Sequence, residues 1–268
     1  MPGSVRAVVC DAFPFDLRLG QLRQRTSAKW RAAAPDVLPL WVAEMDVMPA
    51  PPVVQALRQA IDRGDTGYAY GNEYADAYGA FARDRWGCDA FEPTRSALVP
   101  DVMLGAVELL KLVTKPGDAV VVCPPVYPPF YAFTEHLGRR ILEVPLTTEG
   151  RLDVAALAAA FEEPGAERPA AFLLCNPHNP TGTVHSVEEL EAVAAAAEPS
   201  GVRVIADEIH APLVLPGATF TPISLWRGRA GASRWSPHPK GGTCPVSRRR
   251  SPLPDPTPPA TSPGCPRR

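Results

Sequence analysis

From about residue 96 onward, short apolar runs alternate with amphipathic stretches, each joined by Pro, Gly, Asn or Asp. Ser96–Val99 reads as a short strand. Asp101 can cap a helix carrying Val102, Ala106, Leu109, Leu110 and Val113 on one stripe, and Lys115-Pro116-Gly117-Asp118 ends it. Ala119–Cys123 is a buried strand closed by Pro124-Pro125. A helix from about Phe130 to Leu137 stops at Gly138, and Arg140–Val144 returns as a strand. Asp153 caps an Ala-rich helix to Phe161. The apolar run 170–175 stops at Asn176-Pro177, with a second step at Asn179-Pro180 and then Thr181-Gly182. Ser186 and Glu189 form a capping-box pattern for a helix to about Glu198. Val202–Ala206 is a strand that runs into Asp207-Glu208-Ile209-His210. Repeated β-α units of this kind predict an α/β fold, with a mostly parallel sheet and helices on both faces.

The region before this is less regular. Residues 1–40 read as an irregular arm, and Leu38–Asp46 as a short apolar strand ending in charge. Pro51-Pro52 opens a helix with Val53, Leu57 and Ile61 on one stripe. Gly64–Gly71 is a loop holding Tyr68 and Tyr70. The next helix carries Tyr74, Tyr78, Phe81 and Arg85, whose aromatics read as core packing.

Composition changes this picture mainly at the C-terminus. Residues 227–268 hold ten of the 33 prolines and eight arginines, with Asp255 the one acid. No helical or strand period is present there, so that stretch predicts a disordered basic tail. The formal net charge of -2 gives no bulk attraction to nucleic acid or anionic membrane. The six cysteines form no C-x-x-C pair, and Cys123 and Cys175 read as buried thiols, so a reducing cytoplasm is expected. No secretion signal opens the chain, and no apolar run is long enough to span a bilayer. No metal-ligand cluster is expected either.

Three strand ends deliver Tyr127, Asn179 and Asp207 to the C-terminal edge of the sheet, where open α/β sheets bind ligands. A helix N-terminus at Asp101-Val102-Met103 points to the same edge, with free N–H groups suited to a phosphate. A carboxylate can hold a proton on a ring nitrogen, an aromatic can cover a planar ring, and an amide can donate to a ring oxygen. Each residue has a plainer reading: Asp101 as a helix cap, Tyr127 as a packed loop aromatic, His210 as a satisfied histidine, Asp207 as a partner for arginine. Taken jointly they describe pyridoxal phosphate.

Specific motifs extend this reading. Leu38–Asp46, Gly67-Tyr68, Pro124–Tyr127, Asn176–Gly182 and Asp207–His210 together resemble the fold-type I pyridoxal-phosphate enzymes of the class I/II aminotransferase group. The likeness is greatest to the cystathionine β-lyase (MalY/PatB-type) branch and covers about residues 20–225. It implies a fold-type I large domain, incomplete at the C-terminus: residues 1–45 an arm or small-domain part, 46–225 a partial cofactor-binding domain, 226–268 the tail. It also implies roles. Tyr127 stacks on the ring, Asn179 bonds its 3-oxygen, and Asp207 pairs with its nitrogen. The backbone at Asp101, Val102 and Met103 holds the phosphate, Tyr68 reaches that phosphate from the other subunit of a homodimer, and His210 lines the pocket. Asp101 departs from the small residue common at that position, and a carboxylate beside a phosphate is repulsive unless it turns away.

The resemblance further calls for a Schiff-base lysine in a Ser-Lys-x-x-Asn context, and no residue here supplies it. Lys240 is the only lysine after Lys115, and its neighbours do not match. Back-translating Ser236–Val246 and reading one nucleotide earlier permits Ser-Lys-Gly-Trp-Asn-Leu-Pro-Gly-Leu, which resembles that segment. A frame slip between about Leu225 and Ser233 accounts for both. The expected function is therefore a carbon–sulfur β-lyase lineage acting on cystathionine or another small cysteine S-conjugate, in a chain that is itself non-catalytic. Transamination is the alternative within the group. From another class, the chain could be a pseudoenzyme or binding protein whose Arg-rich tail contacts nucleic acid. Arg248-Arg249-Arg250, however, lacks interleaved aromatics and reads as a solvated charge run, so no nucleic-acid partner is expected.

Overall fold

The computed structural model describes residues 17–68 and 70–228. They form two compact units, one through Tyr70 and one from Gly71 onward.

The first unit is built from two single helical turns, α1 (Leu19–Leu22) and α2 (Ala28–Arg31), and one longer helix, α3 (Pro51–Asp62). The strand expected over Leu38–Asp46 does not form. A strand needs a neighbouring ladder, and here the segment's carbonyls are taken by side chains instead. Lys29 Nζ donates to the Glu44 carbonyl at 2.8 Å, and Arg25 donates to the Met45 and Val47 carbonyls at 3.2 and 2.7 Å. Asp46 anchors the clamp, accepting from Lys29 Nζ at 2.7 Å and Trp30 Nε1 at 2.9 Å. Lys29 is buried, so this pairing offsets the cost of removing its charge from water. Helix α3 starts on Pro51 and Pro52, and its stripe of Val53, Leu57 and Ile61 stays exposed.

The second unit opens with α4 (Glu73–Trp86), which stops at Gly87 in the left-handed region (φ 62°). A backbone bond from Cys88 N to the Ala82 carbonyl closes the turn. Core packing of its aromatics holds only in part: Tyr78 meets Phe91 edge-on at 4.8 Å, and Trp86 meets Phe220 at 5.1 Å, but Tyr74 and Phe81 are exposed. Helix α5 (Val102–Val113) then leads into the sheet: β1 (Ala119–Val122), α6 (Pro129–His136), β2 (Arg140–Glu143), α7 (Val154–Glu162), β3 (Pro169–Cys175), α8 (Val187–Ser200) and β4 (Arg203–Asp207). The expected strand at Ser96–Val99 is absent. No described strand lies alongside to complete its ladder; Val99 packs on Gly105 instead, and Leu98 is exposed.

All four strands are parallel, in the order β2-β1-β3-β4. Period-two alternation sorts their side chains into two cores. Val121, Phe172, Leu174 and Val204 pack with Leu157 and Phe161 of α7 and Leu190 and Val193 of α8. Val120, Val122, Leu173 and Ile205 pack with Met103, Leu109 and Leu110 of α5 and Phe130 of α6. Helices therefore cover both faces. Each fully buried Phe, Leu or Val contributes about 1.5–3 kcal/mol. Caps set the helix starts: Asp101 accepts from Leu104 N and Asp153 from Ala156 N, both at 2.9 Å, while Ser186 and Glu189 form the reciprocal box.

The connection from β1 leaves across the α5/α6 face, and the connection from β3 leaves across the α7/α8 face. The C-terminal ends of these adjacent strands are thus the topological switch point, where a crevice opens. Among the described residues no helix is long and apolar enough to cross a membrane.

Candidate active site

The segment that leaves β1 passes through Pro124-Pro125 and Val126 to Tyr127, two residues before α6. Tyr127 is 36% exposed, and its ring meets Phe130 edge-on at 6.4 Å. On the other side of the crevice, β3 ends at Cys175 and turns through Asn176–Gly182. The bonds Asn176-Pro177 and Asn179-Pro180 are cis. Asn176 is fully buried; its N–H donates to the Asp207 carbonyl at 3.0 Å and its Oδ1 accepts from His185 N at 3.1 Å. The Asn179 N–H is held by Cys175 Sγ at 3.3 Å, while its side-chain amide has no partner among the described residues.

Asp207 ends β4 and pairs in register with Cys175. It lies two residues after Ile205, so it faces the same side of the sheet, the side covered by α5. Helix α5 precedes β1 and runs antiparallel to it, which brings the start of α5 to this same edge. Tyr127, Asn179, Asp207 and the first turn of α5 are therefore gathered at one end of the second unit. At the helix start, the Asp101 carboxylate takes Leu104 N. The N–H groups of Val102 and Met103 have no acceptor among the described residues.

The electrostatics suit a cation at Asp207. Burial raises its pKa, opposed by the Ile209 N–H bonded to Oδ1 at 3.0 Å and by the charge of His210. Asp207 thus has one neutral donor bonded to it and the His210 charge nearby but not bonded, so burial still dominates. Its neighbour Glu208 is pushed up to about 7, mainly by burial. The N–H of Ile223, which donates to it at 2.7 Å, opposes that shift, and the Asp207 charge adds to it. His210, half-buried, begins a 3-10 turn at Ala211–Leu213. Tyr68 lies in the first unit with its ring exposed.

The sequence marks Cys175 as a buried thiol and places Asn176 and Glu208 in motifs, but it gives none of the three a role at the site; Cys175 shares strand parity with Leu173 and is the last residue before the turn. The bond of Asn176 to His185 spans nine residues and left no pattern to read.

A sequence profile of the family described as Aminotransferase class I and II matches residues 35–238. The chain belongs to that family. Within it, a protein of Mycobacterium leprae provisionally named a cystathionine beta-lyase is 60% identical over 210 residues, which cover 77% of this chain and 52% of that protein. Cystathionine beta-lyase of Corynebacterium glutamicum is 36% identical over 202 residues, covering 74% of this chain and 52% of the relative. Cystalysin of Treponema denticola, solved with a pyridoxal 5'-phosphate cofactor, superposes with a TM-score of 0.69 at 27% identity, covering 75% of this chain and 53% of that one. The chain spans about half the length of the curated relatives it matches.

Proposed function

We propose that this chain is the cofactor-binding portion of a pyridoxal-phosphate-dependent carbon–sulfur β-lyase acting on cystathionine or a related small cysteine S-conjugate. One observation supports the reading: a largely desolvated carboxylate that accepts only one neutral N–H, an amide, a part-exposed tyrosine and two orphan helix donors lie toward the same end of the sheet. Those groups fit pyridoxal phosphate. Val102 and Met103 N–H hold the phosphate. Tyr127 covers one ring face, Asn179 donates to the ring oxygen, and Asp207 keeps the ring nitrogen protonated, while His210 lines the pocket. The bound cofactor supplies the electron sink that lets negative charge develop at the substrate Cα and the Cβ–sulfur bond break. Asp207 sustains that sink by holding its proton, and Tyr127 keeps water off the ring. Tyr68 completes the phosphate site from a second copy of the chain in a homodimer.

The covalent anchor of the cofactor is the remaining question. No lysine occurs between Lys115 and Lys240, and Lys240, with the rest of the proposed shifted-frame tail, lies outside the described residues. The arginine cluster considered for nucleic acid lies outside them too. We infer that this chain holds the cofactor without a covalent link and turns over near background. Incubation with pyridoxal phosphate and borohydride should leave no labelled lysine, and dialysis should remove the cofactor. A labelled lysine would overturn that inference. Transamination uses the same residues, and the two readings separate on substrate: a lyase releases pyruvate from cystathionine with no keto-acid acceptor.

A further inference from the structure

We propose that Cys175 and Asn176 are positioning residues that fix Asn179 relative to Asp207. The proposal rests on the cofactor reading above. A planar ring has its oxygen and its nitrogen at a fixed separation, so a donor for one and a carboxylate for the other must be held at a matching distance. Asn179 lies on a turn and Asp207 on a strand, so something must tie the two together.

Two adjacent residues do so from opposite directions. The Cys175 thiol accepts the Asn179 N–H at 3.3 Å and approaches the Pro177 carbonyl at 3.5 Å, so it serves both sides of the turn. Cys175 is also the register partner of Asp207, one strand spacing of about 4.8 Å away. Asn176 then bonds across to the Asp207 carbonyl through its own N–H and holds the far end of the loop through Oδ1 and His185 N. Between these ends, His178 N donates to the Thr183 carbonyl and Gly182 N to the His178 carbonyl, both at 2.8 Å, which closes the turn on itself. Asn179 is thus the apex of a loop whose two feet are fastened to the strand pair that carries Asp207. Burial and the Asp207 charge push the Cys175 thiol up to about 12, so at neutral pH it remains a neutral S–H.

The experiment uses the full chain with pyridoxal 5'-phosphate as probe. Affinity is read by fluorescence, and the protonation midpoint of the bound cofactor by absorbance across pH. Cys175→Ala and Asn176→Ala should each weaken binding about tenfold, the effect of one misplaced hydrogen bond. Both should also move the midpoint upward, because a displaced Asn179 no longer stabilises the ring oxyanion. Cys175→Ser should recover part of both effects. Cys123→Ala is the control, a buried thiol of the opposite core; it should lower the melting temperature and leave affinity and midpoint unchanged. In the cofactor-free chain, Asn179 amide exchange should be slow and become fast in Cys175→Ala. The proposal is overturned if both alanine variants bind as the parent does while Asn179→Ala does not; the site reading then survives. If Asn179→Ala also binds as the parent does, the site reading and this proposal fall together.

Discussion

Arg139 joins the ends of two helices through Thr114. Its Nε donates to Thr114 Oγ1 at 2.9 Å and its Nη2 to the Thr114 carbonyl at 3.0 Å, while Nη1 reaches the Leu137 carbonyl. Thr114 is the C-cap of α5 and Leu137 that of α6, so one buried cation sits at two negative helix ends. Arg139→Ala should destabilise the second unit by about 2–4 kcal/mol, because it removes the donors to the buried Thr114 hydroxyl and carbonyl. Arg139→Lys should recover only part, since an ammonium cannot span the fork. The midpoint of urea unfolding measures both.

Asp101 serves the helix while opposing the ligand proposed for it. Its carboxylate caps α5 through Leu104 N, beside the two N–H groups available to a phosphate. Asp101→Ser keeps a capping oxygen and removes the negative charge. It should therefore leave stability within about 0.5 kcal/mol of the parent and tighten pyridoxal-phosphate binding several-fold. Asp101→Ala should tighten binding too, at a stability cost of about 1 kcal/mol. Calorimetric titration and thermal melts separate the two effects.

Legibility followed how local each determinant is. The parallel sheet and the helix starts were readable because their signals lie within a few residues: Asp101, Asp153 and Ser186 cap as their spacing implies. The positions of Tyr127, Asn179 and Asp207 just after strands follow from the same local signal, since each comes after an apolar run. The two missed strand assignments share one cause. Leu38–Asp46 and Ser96–Val99 have strand-like composition, but a strand exists only beside another, and sequence alone does not supply the neighbour. The anchoring bonds of Asn176 and the double cap by Arg139, which spans 25 residues to Thr114, are tertiary and carry no periodic trace.

Two buried imidazoles make the loop that carries Asn179 acid-sensitive. His178 and His185 meet edge-on at 5.9 Å, and both are buried. Burial lowers the pKa of each, that of His185 to about 4, with Glu189 opposing and His178 and Arg151 reinforcing. As pH falls below about 6.5 the unfolded chain takes up protons that the folded chain refuses. The contribution of these histidines should therefore be lost between about 6.5 and 4, against the opposite contribution of Glu208 over much of the same range. His185 alone should account for about 3 kcal/mol of that loss. In His185→Phe the slope of unfolding free energy against pH should be clearly less positive over this window. An unchanged slope would show that His185 is not the titrating group.

Glu208 acts in the opposite sense. Its carboxylate accepts from Ile223 N, which ties the end of β4 to the 3-10 turn at Ile223–Gly228. Tyr78 and Asp207 lie close enough to couple with it, and burial dominates the shift to about 7. A folded pKa above the unfolded value of about 4.3 means that the neutral form is favoured in the fold. Its stabilising contribution is complete below about pH 4.3 and is lost as pH rises through 7. Gln keeps an oxygen for Ile223 N and cannot ionise. Glu208→Gln should then match the parent at about pH 4 and exceed it by about 1–3 kcal/mol at about pH 8. The comparison is urea unfolding of both proteins at the two pH values. Equal stability at pH 8 would mean that the carboxylate ionises in the fold without cost, through solvent reaching it beside Tyr78.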